Sequence, residues 1–261
     1  MSPLRKALGR ARPRAVPVPP VPSGATLGPP DFVGVGAQRC GTTWWFRNLA
    51  AHPDIRDFPD DAHELHFFDD YWSGGFDASE ASAYARYFPR RPGEVCGEWT
   101  PRYLYDPWVA PLLRRAAPEA RILVLARDPI DRFLSGLAHA AAMGTRTGPS
   151  LVDEAFQRGL YGAQLRRLLR FFPREQVLVL QFERCVAEPR PQLARTLAFL
   201  GLDPGAGTPP IIERKVNRAY RPRPAVDKTT LDLLRDEYRR DAAELSSLFP
   251  ELDLDLWPAL R

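Results

Sequence analysis

The chain of 261 residues lacks any run of about 20 apolar residues, the length a membrane-crossing helix needs, so no span is expected. Its basic N-terminus is not followed by an apolar segment of the secretory kind, so no signal peptide is expected either. Cysteine is scarce. Cys40, Cys96 and Cys185 are too few, and odd in number, for a disulfide framework; they read as free thiols of a reducing, cytoplasmic compartment. Residues 1–30 contain five Arg and Lys and no acid. With those five set aside, the 36 basic residues become 31, against 32 acidic ones, so the formal net charge of +4 belongs largely to the tail. A nucleic-acid binder would want a basic face on the folded body, and none is expected. The same stretch holds eight prolines. A disordered tail over 1–30 is therefore expected, followed by a single domain over 31–261.

One further absence is a single lysine. The apolar run Phe32-Val33-Gly34-Val35 leads into Gly36-Ala37-Gln38-Arg39-Cys40-Gly41-Thr42-Thr43. This is the frame of a phosphate-binding loop: strand, glycine-bounded turn, then a helix opening on hydroxyl residues. In the triphosphatase pattern a lysine precedes the final Ser or Thr. Here that slot is Thr42, and the positive charge sits inside the loop at Arg39. Backbone N–H groups and the helix dipole can still hold a phosphate.

Short continuous apolar runs recur at Ile122–Leu125 and Val177–Leu180, with a weaker one near Val95. Such runs suit strands buried on both faces of a parallel sheet. Helical spacing lies between them. Asp128 is placed to cap a helix with Pro129 at its first position, Pro189 to open another, and Asp227 to cap a late one. Alternation of this kind implies an α/β fold, a P-loop-like three-layer arrangement with a central, mostly parallel sheet flanked by helices. Ligands in such folds sit at the carboxyl ends of the strands, where the Arg39 loop and Arg127 fall.

Three other features can carry chemistry. Arg127-Asp128-Pro129-Ile130-Asp131-Arg132-Phe133-Leu134-Ser135 follows a strand at whose end a triphosphatase would hold a metal-binding aspartate. An arginine fork suits an anion and cannot bind a metal. Pairing of Arg127 with Asp128 or Asp131 is the structural alternative. His63-Glu64-Leu65-His66-Phe67-Phe68-Asp69 is one residue short of the zinc-protease spacing, so no metal site is expected. Glu64 can instead be a general base and His66 an oriented donor. Finally, twelve of the 28 aromatics fall between His66 and Trp108. Most are expected in the core; a cleft for sugar or aryl rings is the alternative.

Together and in order, these segments resemble the sulfotransferases that use 3′-phosphoadenosine 5′-phosphosulfate (PAPS), nearest to the heparan sulfate glucosamine type and its bacterial relatives. The resemblance runs through most of residues 31–257. It implies that Gln38, Arg39, Cys40, Gly41, Thr42 and Thr43 form the 5′-phosphosulfate loop. Arg127 and Ser135 would be the 3′-phosphate ligands, and Glu64 the catalytic base, assisted by Arg39 and His66. It places Arg221 and Arg223 in a basic loop over the nucleotide. Tyr161 to Phe182, Glu183 and Phe199-Leu200-Gly201-Leu202 match later landmarks of the family. Trp99 stands where the heparan enzymes carry a lysine near the acceptor, which implies an acceptor that stacks or an uncharged sugar; His66, Trp99 and Arg102 are the expected acceptor contacts. The product would be PAP, without a metal, and the partner a small-molecule or carbohydrate acceptor. A nucleotide kinase, which would want lysine at position 42, and a non-catalytic PAP-binding module are the rival readings.

Overall fold

A computed structural model describes residues 16–56, 63–145, 148–206, 211 and 225–261. Five strands form one sheet: β1 (Phe32–Gly36), β2 (Ile55–Arg56), β3 (Val95–Trp99), β4 (Arg121–Ala126) and β5 (Val177–Gln181). Their order is β2-β3-β1-β4-β5, and every pairing is parallel. The chain builds one side of β1 first and then crosses to the other. The order therefore reverses about β1, and ligands of such sheets bind at the carboxyl end of that switch point. β1 and β5 are buried along their whole length, as continuous apolar runs require. β2 has only two residues, too few for any pattern to announce it.

Nine helices are described: α1 (Thr42–Ala50), α2 (Ala78–Ala85), α3 (Val109–Ala116), α4 (Pro129–Ala142), α5 (Pro149–Gln157), α6 (Tyr161–Leu168), α7 (Phe182–Ala187), α8 (Pro189–Phe199) and α9 (Lys228–Leu248). The expected caps form. Asp128 Oδ1 accepts from the N–H groups of Ile130 at 3.0 Å and Asp131 at 3.2 Å, and Asp227 Oδ1 accepts from Thr230 at 2.9 Å. α6 begins without a cap of its own. Asp241 of α9 takes that place, accepting from Gly162 N at 2.8 Å and Ala163 N at 2.9 Å.

Part of the expected tail is described. Residues 16–30 lie along the domain. Val16 packs on the core and its carbonyl accepts from the Tyr87 hydroxyl at 3.1 Å, while Thr26 and Arg90 form an antiparallel bridge. Prolines remove donors but leave carbonyls, so an extended proline-rich strip can still dock by accepting hydrogen bonds. Residues 1–15 lie outside the described part.

The sheet is tight where β3 pairs with β1 and Gly34 stands in register with Trp99. The Trp99 indole is fully buried, and a Cβ added at Gly34 would sit 2.0 Å from its ring. Its Nε1 donates to the Gly36 carbonyl at 3.1 Å. Gly34→Ala is therefore expected to destabilise the fold by about 1–3 kcal/mol through overpacking, and Trp99→Ala by about 3–5 kcal/mol. Urea unfolding followed by circular dichroism measures both.

Candidate functional site

The loop from β1 to α1 opens a helix whose head is unguarded. No side chain caps α1, and its first turn carries no acid. Gly41, at the N-cap, has φ of 88°, which favours glycine, and a Cβ there would meet the Phe182 ring at 2.7 Å. Arg39 also adopts the left-handed region, with φ of 71°. Its Nε lies 3.4 Å from Ser135 Oγ on α4. Two residues 96 positions apart, each expected at the site, thus meet. Thr42 is buried and Thr43 exposed, while Gln38 is half-buried. Cys40 points away, its Sγ lying 3.5 Å from the Tyr161 hydroxyl. Burial pushes its thiol up to about 11, so the thiol stays protonated at neutral pH.

Arg127 stands directly after β4. Its Nη2 donates to Asp131 at 3.0 Å, so the alternative pairing is present. Its guanidinium also lies 5.2 Å from the centre of the Phe182 ring, the same ring that packs on Gly41. Arg127 Nε is buried and has no hydrogen-bond partner among the described residues. Arg132, the second arginine of that motif, is structural: it is fully buried and donates to the Ala155 carbonyl. Asp131, Ser135 and His139 follow one i, i+4 row along α4. Burial and the Arg39 charge lower the pKa of His139, and the Glu64 charge opposes them. Arg39, Glu64 and His139 therefore share one electrostatic field.

The segment 63–66 is irregular, and β3 with its continuation holds it in place. His63 is buried and stacks on Phe46 at 4.5 Å, while its carbonyl accepts from Trp99 N at 2.9 Å. Leu65 N donates to Glu98 Oε2 at 3.2 Å, His66 N to Thr100 Oγ1 at 3.2 Å, and Phe67 N to the Tyr103 hydroxyl at 2.8 Å. His66 has φ of 52°, an uncommon conformation for a residue with a side chain. Its Nδ1 lies 2.9 Å from Asp69 Oδ2 and its Nε2 3.4 Å from Glu64 Oε2. Burial alone would lower its pKa, but the hydrogen bonds to Asp69 and Glu64 prevail and hold it up at about 9. At neutral pH this imidazole is a cation between two carboxylates.

Two expected acceptor contacts fare differently. Trp99 is 0% exposed and offers no face to any acceptor; its ring is spent on Gly34, so the stacking expectation is withdrawn. Arg102 pairs with Asp106 at 2.6 Å and lies 3.8 Å from Asp69. With Tyr105, Trp108, Gln157 and Arg167 it lines a cavity of about 440 Å³. Arg221 and Arg223 lie outside the described residues. The aromatic segment is mainly core: Phe68, Phe76, Tyr84, Phe88 and Tyr103 are buried.

Comparison with known proteins identifies the family. The family model described as a sulfotransferase domain matches residues 29–232. The chain belongs to the sulfotransferase family. Human heparan sulfate glucosamine 3-O-sulfotransferase 6 is 30% identical over 187 residues, covering 66% of this chain and 52% of that protein. Mouse heparan sulfate glucosamine 3-O-sulfotransferase 3B1 is 26% identical over 247 residues, covering 80% and 60% respectively. The chain thus spans about half the length of the first of these relatives. A sulfotransferase from Alicyclobacillus acidocaldarius superposes with a TM-score of 0.67 at 27% identity, covering 88% of this chain and 98% of that one.

Within this sulfotransferase domain, sequence reasoning left three residues without a role. Asp69 closes the quoted H-E-L-H-F-F-D motif, and its i+3 spacing from His66 is the signal that points to a partner. His139 is visible only as Ser135 plus one helical turn. Glu98 gives no sequence signal beyond its place in a strand. For His66, Asp69→Asn is expected to bring the imidazole titration from about 9 down towards its ordinary 6.5. Nuclear magnetic resonance of the ring protons against pH measures it. Because folding raises this pKa, the ion pairs contribute stability fully below about pH 6.5 and lose it as pH rises through about 9. Asp69→Asn should flatten that alkaline fall in melting temperature.

Proposed function

We propose that this chain is an enzyme that moves the sulfuryl group of PAPS onto a hydroxyl or amine of a carbohydrate-like acceptor, releasing PAP. When bound, the donor supplies an activated sulfuryl group carried at the end of the 5′-phosphate of an adenosine that also bears a separate 3′-phosphate. The observation that carries the reading is the 3.4 Å approach of Arg39 to Ser135, which joins the loop to the helix after β4. The uncapped head of α1 and the unpartnered, buried Nε of Arg127 fit a ligand with two anionic ends.

In this reading the backbone N–H groups of the Gln38–Thr43 loop hold the 5′-phosphate at the head of α1. Arg39 would stabilise the negative charge that grows on the leaving oxygen. Arg127 and Ser135 grip the 3′-phosphate, Arg127 as a fork backed by the Phe182 ring. Arg221 and Arg223 would cover the nucleotide. Glu64, 37% exposed at its side chain and paired with a cationic His66, accepts the acceptor's proton. His66 donates from both ring nitrogens, one fixed by Asp69 and the other beside Glu64. The cavity bordered by Arg102 lies one ion pair from Asp69 and takes the acceptor. The names of the curated relatives support a sugar acceptor.

Glu64→Ala is expected to bind PAP normally and to lose on the order of 10²–10⁴ in turnover. A sulfate-transfer assay against sugar acceptors, with PAP affinity measured alongside, checks this; near-normal transfer would remove Glu64 as the base. Arg127→Ala is expected to weaken PAP far more than adenosine 5′-phosphosulfate, which lacks the 3′-phosphate. Equal losses in the two affinities would sink the 3′ assignment.

A further inference from the structure

We infer that Glu98 is a positioning residue: its buried carboxylate, with Thr100, fixes the backbone on which Glu64 and His66 stand. The inference rests on the proposed function for its kinetic consequences, and on geometry alone for its structural ones. Glu98 is 0% exposed at the end of β3, and both its oxygens are used. Oε1 accepts from the Tyr84 hydroxyl at 2.6 Å. Oε2 accepts from the Thr100 hydroxyl at 2.6 Å and from Leu65 N, between Glu64 and His66, at 3.2 Å. Thr100 Oγ1 passes the grip on by accepting His66 N at 3.2 Å. Three donors converge on one carboxyl group, and only the ionised form accepts from all three without giving up an oxygen to its own proton.

The arrangement answers a local difficulty. Segment 63–66 belongs to no helix or strand, and His66 has a positive φ, so its own backbone does not fix it. Its N–H groups must find acceptors away from water, and the end of β3 supplies them in order: Glu98 for residue 65, Thr100 for residue 66. A neutral side chain at position 98 would also leave His66 with one negative neighbour fewer. The charged and titratable groups around Glu98 are Tyr84 from α2, Tyr103 and Tyr87 beyond it, and His66. Burial pushes the Glu98 carboxyl up to about 7, against the hydrogen bonds from Thr100, Tyr84 and Leu65 and the charge of His66. The grip therefore strengthens as pH rises through neutrality.

Glu98→Gln and Thr100→Val test this, with Thr100→Ser as the conservative rescue. Both disruptive variants should lower kcat roughly 10- to 100-fold, the range a small misplacement of a reacting group produces. KM for PAPS and affinity for PAP should stay within about twofold, because the loop and Arg127 are untouched. Thr100→Ser should restore kcat. The His66 ring titration, followed by nuclear magnetic resonance without substrate, should move to lower pH in Glu98→Gln. Wild-type kcat in Thr100→Val together with an unmoved His66 titration in Glu98→Gln would overturn the inference. If the wild-type chain itself transfers no sulfate, the proposed function fails, and the His66 titration still decides for or against Glu98. Should Glu98→Gln fail to fold, Thr100→Val with its serine rescue carries the test: kcat lost with valine and regained with serine supports the inference, and kcat unchanged with valine overturns it.

Discussion

Everything at this site hangs on the way β3 is pressed against β1. Trp99 lies across Gly34 with no room for a Cβ between them, and its indole N–H holds the Gly36 carbonyl, the last of the strand before the loop. On one side of that contact stand the loop and Arg39. On the other stand Glu98 and Thr100, and through them Glu64 and His66. The indole is thus the rigid spacer between the end of the molecule that would hold the anion and the end that would hold the proton. A residue that reads as an exposed stacking platform is the structural pin instead.

The second constraint is charge management in a half-buried crevice. An exposed ion pair contributes little, but groups that share partners fix one another's protonation. His66 is held as a cation by Asp69 and Glu64, while burial and Arg39 push His139 the other way. Two histidines, both near Glu64, are driven towards opposite states by their neighbours. Phe182 performs the same kind of service without charge. It fills the space over Gly41 that a larger residue would take, and presents its face to Arg127.

Much of this was legible in the sequence, and the reasons are local. Glycine-bounded turns, Asp-Pro caps and continuous apolar runs encode their own structure, so the strands beginning at Phe32 and Val177 and the cap at Asp128 follow from short stretches. Arg39, Arg127 and Ser135 were readable because each sits at a fixed offset from such an element. What escaped depends on contacts distant in sequence. No pattern near Trp99 says that Gly34 lies beneath it, and none near Glu98 says that Leu65 N turns towards it. β2 is too short to show itself. The proline-rich strip over 16–30 has the composition of a free tail, yet Tyr87 and Arg90 supply the partners that dock it.

In the proposed function, the lysine-free loop and Arg127 after β4 form a site for a nucleotide with phosphates at both 5′ and 3′, rather than for a triphosphate. Isothermal titration with PAP and with Mg·ATP, on the same protein, tests it most directly. The expected result is that PAP binds, that its affinity is unchanged by a chelator, and that Mg·ATP binds far more weakly. Tight, magnesium-dependent binding of ATP with no measurable binding of PAP would contradict it.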